Sequence, residues 1–222
     1  MTDPVPVITV DGPSGSGKGT VSQQVADALG LHMLDSGALY RLVGYSVDQA
    51  GIGFENPEKA AEIAAAMRVE FDHGKVLLNG QDVSLAIRTE TAGNNASKVA
   101  AMPQVRAALL DWQRHAAVPP GLVADGRDMG TTVFPDAPVK IFLTASAEER
   151  ARRRHKQLME KGISAKVSDL AAEIRERDER DRNRSTSPLV PAEDALLIDS
   201  TDLGIEQVVE KILAAARAVW PR

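Results

Sequence analysis

Nine residues constrain this chain more than any others: Gly12-Pro13-Ser14-Gly15-Ser16-Gly17-Lys18-Gly19-Thr20. A short apolar run, Val5 to Val10, precedes them and predicts a buried strand. Val21, Val25, Ala28 and Leu29 follow at helical spacing. Strand, glycine loop, lysine and helix, in that order, form the context in which G-x-x-x-x-G-K holds phosphate. The glycines let the backbone curl until successive N–H groups share one concavity. The helix N-terminus adds partial positive charge. Lys18 would reach the β- and γ-phosphates as a mobile point charge.

The chain has 222 residues, 43% of them apolar, enough for one sizeable core, either a single domain over 1–222 or one core with insertions. Its net charge of −5 leaves no global basic footprint for nucleic acid. Charge is uneven, however. Glu148 to Arg184 holds 12 basic and 9 acidic residues, a cationic segment in an acidic protein. With no cysteine, disulfides, thiolate metal sites and cysteine nucleophiles are excluded, and a reducing compartment fits. No run approaches the roughly 18 apolar residues of a membrane span, and no signal pattern opens the chain. The expectation is a cytoplasmic protein with no membrane and no nucleic-acid partner.

Along the chain, apolar strands alternate with helical patterns. Leu31 to Leu34 predicts a second strand, ending at Asp35-Ser36-Gly37, with Ser36 placed to cap the next helix. That helix carries Leu39, Tyr40, Arg41, Leu42, Val43 and Val47. Pro57 to Met67 reads as helix. The period then changes: Arg68 to Asp72 alternates, Asp72-His73-Gly74-Lys75 signals a turn, and Asn79-Gly80 follows Val76-Leu77-Leu78. This hairpin unit, near 68–90, interrupts the rhythm as an insertion. Thr91 to Ala101 is a run of small residues, and Gln104 to His115 is a helix after Pro103, with Val105, Leu109, Leu110 and Trp112 as expected core. His115 would serve the C-terminal end of that helix.

Leu122-Val123-Ala124 predicts a central strand that stops at Asp125-Gly126-Arg127-Asp128-Met129-Gly130. A charged, glycine-punctuated loop at the C-terminal end of such a strand is where open α/β sheets bind ligands. Val139 to Leu143 and Ala195 to Ile198 complete five strands, and Ile205 to Val219 is an amphipathic closing helix. Strands alternating with helices predict an α/β fold, a parallel sheet with helices on both faces.

Between the last two strands lie helices over Ser146–Lys161 and Ser168–Asn183, broken at Gly162. Arg177, Asp181 and Arg184 are spaced to share one helix face. Arg150, Arg152, Arg153 and Arg154 sit on the preceding helix. Such runs are commonly solvated faces laced with ion pairs worth roughly 0.3–0.5 kcal/mol each. Beside a phosphate loop they also suit a lid over polyphosphate, because guanidinium forks bind phosphate oxygens and stay charged. Phosphoryl transfer needs in-line positioning, positive charge and exclusion of water, which these parts would supply.

The residues resemble those of the bacterial cytidylate kinase family. The resemblance rests on Gly12–Thr20, Leu34-Asp35-Ser36-Gly37-Ala38-Leu39-Tyr40-Arg41, Ala124 to Thr131 with Val133-Phe134-Pro135, and Arg177 to Arg184. The hydroxyl arrives at Thr20, one residue after Gly19, as in nucleoside monophosphate kinases rather than GTPases, and no Asn-Lys-x-Asp motif occurs. The resemblance implies transfer of the γ-phosphate of ATP to CMP or dCMP with Mg²⁺, in a monomer. It implies a three-layer core with a five-stranded parallel sheet, an acceptor-binding region over 36–115 enlarged by the insertion, and an arginine lid over 150–184. At matching positions, Gly12 to Thr20 would hold the donor, with Thr20 on the metal and Asp125 or Asp35 orienting it through water. Ser97, Arg106 and Asp128 would read cytosine. Ser36, Arg177 and Asp181 would hold the sugar side, and Arg41, Arg127 and Arg184 the acceptor phosphate. Lys18, Arg127, Arg177 and Arg184 would act in transfer.

That chemistry is coherent. Cytosine offers an amine at N4 that a carboxylate such as Asp128 accepts, while its N3 and O2 suit donors such as Ser97 and Arg106. Uracil reverses the pattern and leaves buried polar groups unpaired. Two rivals stand beside this reading. One is a kinase of the same fold for AMP, UMP or shikimate. The other is a phosphate-loop protein whose arginines contact a nucleic-acid backbone.

Overall fold

The computed structural model describes residues 5–72, 75–160 and 162–221. Strand β1 (Val7–Asp11) is buried at all five positions. It lies at the centre of a five-stranded parallel sheet, ordered β2 (His32–Asp35), β6 (Leu122–Gly126), β1, β7 (Val139–Thr144), β8 (Leu196–Asp199). Continuous apolar runs suit the inner strands because both their faces are covered. Register is set by pairs such as Val10 with Asp125 and Val10 with Ile141. The edge strands β2 and β8 bury one residue each, Leu34 and Ile198.

Two compact units make up the chain. The first runs up to Leu34 and resumes at Ala116; the second is Asp35–His115. In the first, α1 (Lys18–Leu29) and α8 (Ile205–Val219) lay Val21, Val25, Val208 and Ile212 onto Ile8, Val10, Val123 and Ile141. Burying each such side chain contributes about 1.5–3 kcal/mol. The same unit carries α6 (Ala147–Glu160) and α7 (Val167–Asn183), packed on each other. Gly162, at φ 73°, ends α6: its N–H bonds the Met159 carbonyl, and the Ile163 N–H bonds that of Leu158. A left-handed residue there satisfies helix carbonyls that would otherwise be orphaned. Lys161, expected as the last residue of that helix, lies outside the described residues.

The second unit packs α2 (Ser36–Gln49) on α4 (Glu90–Ala100), and α3 (Pro57–Ala66) on α5 (Pro103–His115). Asn56 and Thr89 cap α3 and α4 by accepting the Lys59 and Ala92 N–H groups. The insertion is a three-stranded antiparallel sheet, β3 (Val69–Asp72), β4 (Lys75–Leu78) and β5 (Gln81–Asp82). The central residues of its expected first turn, His73 and Gly74, lie outside the described residues.

Several expectations are corrected. β1 begins at Val7 and continues through Asp11, and β6 continues through Asp125 and Gly126, because these polar residues still pair in the ladder. The small residues near 91–101, to which the sequence assigned no element, form α4. Asp35, not Ser36, caps α2: its extended backbone lets Oδ1 accept the Ala38 N–H at 3.0 Å, while Ser36 is already helical. Trp112 is 38% exposed rather than core, its ring tilted against Phe71 at 6.4 Å. Arg184 follows α7 in extended conformation, so it does not share the helix face of Arg177 and Asp181.

Candidate active site

The loop predicted to cradle phosphate leaves β1 through Gly12, at φ 149°. A Cβ there would stand 1.9 Å from the Leu143 carbonyl oxygen, so only glycine fits against β7. Gly15 and Gly17 are left-handed and alternate with ordinary residues, the pattern that turns successive N–H groups to one concave side. The carbonyls are held instead. Pro13 O accepts from Ser16 Oγ at 3.1 Å and from Lys18 Nζ at 2.9 Å. Ser14 O accepts from Arg150, and Ser16 O from Arg153. Lys18 is buried at the start of α1, its ammonium stored over the loop it would serve. Thr20 is exposed in the first turn.

Beside this loop, β6 ends in Asp125 and Gly126, and the chain turns through Arg127 and Asp128 into a five-residue π-turn, Met129–Val133. Its wide register is explicit: Val133 donates to the Asp128 carbonyl and Phe134 to that of Met129, each five residues back, with Thr132 sharing the Asp128 carbonyl. Such turns recur at functional sites. Asp128 is buried, with φ −146° and ψ 27°. Arg127 Nε stands 3.6 Å from the Asp181 carboxylate on α7. Thr132 Oγ1 meets Ser187 Oγ at 3.4 Å, and the Leu189 N–H bonds the Asp181 carbonyl, joining the end of α7 to the π-turn. Asp125 reaches the donor loop: its Oδ2 lies 3.6 Å from the Cβ position of Gly19, next to Thr20.

Sequence reasoning missed Asp11, the last residue of β1. Its Oδ1 accepts the Met129 N–H and its Oδ2 the Gly130 N–H, both at 2.8 Å. Burial pushes this carboxyl up from 3.8 to about 6; the two N–H groups and Lys18 oppose the rise, and the Asp128 carboxylate adds to it. A charge closing an otherwise apolar strand was the available signal.

The arginines of α6 and α7 divide by partner. Arg150 is buried, donating to Ala145 O, Ser14 O and both oxygens of Asp178. Arg153 donates to Glu149, Ser16 O, Ser200 Oγ and Ser200 O. Arg152 pairs with Glu149 on the exposed side of α6. Arg175 pairs with Glu148 across the two helices.

In the second unit, Ser36 and Arg41 lie on α2, Ser97 on α4 and Arg106 on α5. Arg41 Nη1 donates to Ile87 O at 2.8 Å and to Thr89 O at 3.2 Å. Arg106 is buried, donates to Ala100 O and places its guanidinium over the Tyr40 ring at 5.4 Å. Tyr40 thus ties α5 to α2.

No group of three or more carboxylate or histidine side chains among the described residues could cage a metal. This donor set fits magnesium, which keeps its waters and is held by nucleotide phosphates plus one or two protein oxygens; Thr20 and Asp125 could supply those. No helix of the described residues is long and apolar enough to cross a membrane.

Many known proteins are similar to this chain. The sequence model of the family described as cytidylate kinase matches residues 8–218. Cytidylate kinase of Edwardsiella ictaluri is 58% identical over 221 residues, covering 98% of both chains. Cytidylate kinase of Colwellia psychrerythraea is 56% identical over 221 residues, covering 97% of this chain and 98% of that one. Among solved structures, a gluconokinase from Sinorhizobium meliloti shares the fold at TM-score 0.50 and 17% identity, over 97% of this chain and 93% of that one. An uncharacterized protein from Eubacterium ventriosum does so at 0.52 and 10%, over 96% and 99%.

Proposed function

Because this chain belongs to the cytidylate kinase family, we propose that it transfers the γ-phosphate of ATP to CMP or dCMP, yielding ADP and CDP or dCDP. The observation that carries the reading is the buried Asp128 at the head of the π-turn, in the same unit as the glycine loop and Lys18. A carboxylate there accepts from cytosine N4, which uracil lacks.

The residue roles are those the family resemblance implies at matching positions, and their chemistry is consistent with transfer. The N–H groups of Gly12 to Thr20 bind the donor phosphates, and Lys18 leaves the Pro13 carbonyl to meet the β- and γ-oxygens. Thr20, with Asp125 acting through water, would hold magnesium, which supplies charge neutralisation between those phosphates. Ser97 and Arg106 donate to cytosine N3 and O2. Ser36, Arg177 and Asp181 hold the sugar side, and Arg41, Arg127 and Arg184 the acceptor phosphate. An oxygen of the acceptor phosphate attacks the γ-phosphorus, the bond to the β–γ bridging oxygen breaks, and ADP leaves. Lys18, Arg127, Arg177 and Arg184 stabilise the charge that spreads in that step.

The remaining parts of the reading are a cytoplasmic monomer with no nucleic-acid or membrane partner. The net charge of −5 weighs against a nucleic-acid partner and the lack of cysteine fits a reducing compartment, while the monomer is what the family resemblance implies. A coupled ADP-release assay with ATP against a panel of nucleoside monophosphates tests the function. CMP and dCMP should lead the panel, and Asp128→Ala should lose far more activity on CMP than on UMP. Equal losses on both would remove base reading from Asp128, and preference for AMP or shikimate would favour the rival kinase.

A further inference from the structure

A helical turn begins with backbone N–H groups that have no intrahelical acceptor, and the residue preceding it ordinarily supplies a side-chain oxygen. At the π-turn Met129–Val133 that residue is Asp128, yet its carboxylate makes no capping hydrogen bond. The acceptor comes from 118 residues away: Asp11 takes the first two N–H groups, Met129 on Oδ1 and Gly130 on Oδ2. Its backbone is immobile for this task, because β1 is the central strand and Asp11 pairs with Gly126 on one side and Phe142 on the other. The turn is also pressed onto β1, since a Cβ on Gly130 would stand 2.8 Å from Thr9 Oγ1.

We propose that Asp11 is a positioning residue for base recognition: by capping the π-turn from the neighbouring strand, it releases the Asp128 carboxylate from capping and sets its direction toward the base. The inference rests on the reading of Asp128 given above and adds a second determinant of specificity that does not touch the substrate. It also places that determinant one residue before Gly12, so the strand that delivers the donor loop anchors the base-reading turn as well.

The test compares Asp11→Asn, Asp128→Ala and Ile8→Val in the ADP-release assay with CMP and UMP, with thermal melting alongside. The amide of Asp11→Asn keeps one acceptor and turns a donor toward the other N–H. It should raise KM for CMP and lower the CMP-to-UMP ratio of kcat/KM by about tenfold or more, with KM for ATP little changed. Ile8→Val, which loosens β1 without touching the turn, should melt earlier and keep the ratio. A preserved ratio in Asp11→Asn while Asp128→Ala collapses it overturns the positioning role and leaves base reading intact. A preserved ratio in Asp128→Ala overturns both. Should Asp11→Asn not fold, Asp11→Ser, which retains one short acceptor, carries the same comparison and is judged by the same ratio.

Discussion

Arg150 and Asp178 form a buried two-pronged ion pair, Nη1 to Oδ1 at 3.0 Å and Nη2 to Oδ2 at 2.5 Å. The same guanidinium reaches the Ser14 carbonyl in the glycine loop, so one side chain joins α6, α7 and the donor loop. Removing one partner strands a charge in the interior. Arg150→Ala should therefore cost about 3–5 kcal/mol of stability in urea denaturation. The double change Arg150→Met with Asp178→Leu should recover most of it. A loss below about 1 kcal/mol for the single change would show that the pair is solvated.

Lys18→Ala and Arg184→Ala should behave differently from Arg150→Ala. Lys18 sits over its own loop and Arg184 lies beyond the end of α7, and neither belongs to the apolar cluster on the sheet. Each should lower kcat by about 10²–10³ or more, the usual effect of deleting a group aimed at developing charge. Melting temperatures should stay near that of the parent. Near-normal turnover in either variant would remove that residue from the transfer step.

Two glycines with positive φ separate crowding from backbone preference. At Gly12 a Cβ meets the Leu143 carbonyl, whereas at Gly80, φ 83°, it meets nothing within 4 Å. Gly80→Ala should cost about 1 kcal/mol from conformation alone. Gly12→Ala should cost more than about 4 kcal/mol, or prevent folding, because β1 and β7 must separate. Equal melting shifts for the two would contradict the close approach.

Asp11 predicts a pH signature. Its carboxyl is raised from 3.8 to about 6, so between those values the folded state holds a proton that the unfolded state has released. This contribution to stability is fully present below about pH 4 and is lost as pH rises through 6. Asp11→Asn cannot titrate. The stability advantage of the parent over this variant should therefore shrink by up to about 3 kcal/mol between pH 4 and 7. Denaturation curves of both proteins across that range check it; a gap that widens with pH would reverse the sign.

The inner strands were legible because all-apolar segments have few alternatives to a covered parallel sheet, and the Asp125–Thr131 block because so many charged and glycine residues seldom cluster after a strand. Asp125 and Gly126 looked like loop because polarity signals solvent, yet ladder bonds extend past the last apolar residue. Ser36 and Asp35 are both good caps, and backbone conformation chose between them. Trp112 fits a helical stripe, but its face meets Phe71 of the inserted sheet at the surface. Arg150 was one of four arginines within five residues; only the fold pairs it with Asp178, 28 positions on.

Gly44 on α2 leaves no room beside Asn95 and Ala96 of α4: a Cβ there would stand 2.8 Å from the Asn95 carbonyl carbon. At that point the two helices meet backbone to backbone, without the compliant layer of side chains that separates packed helices elsewhere. Ser36, Arg41 and Ser97 ride on this pair, and Arg41 clasps the turn that leads into α4. Like jaws cut from one plate, the three are held to a common gauge by that contact.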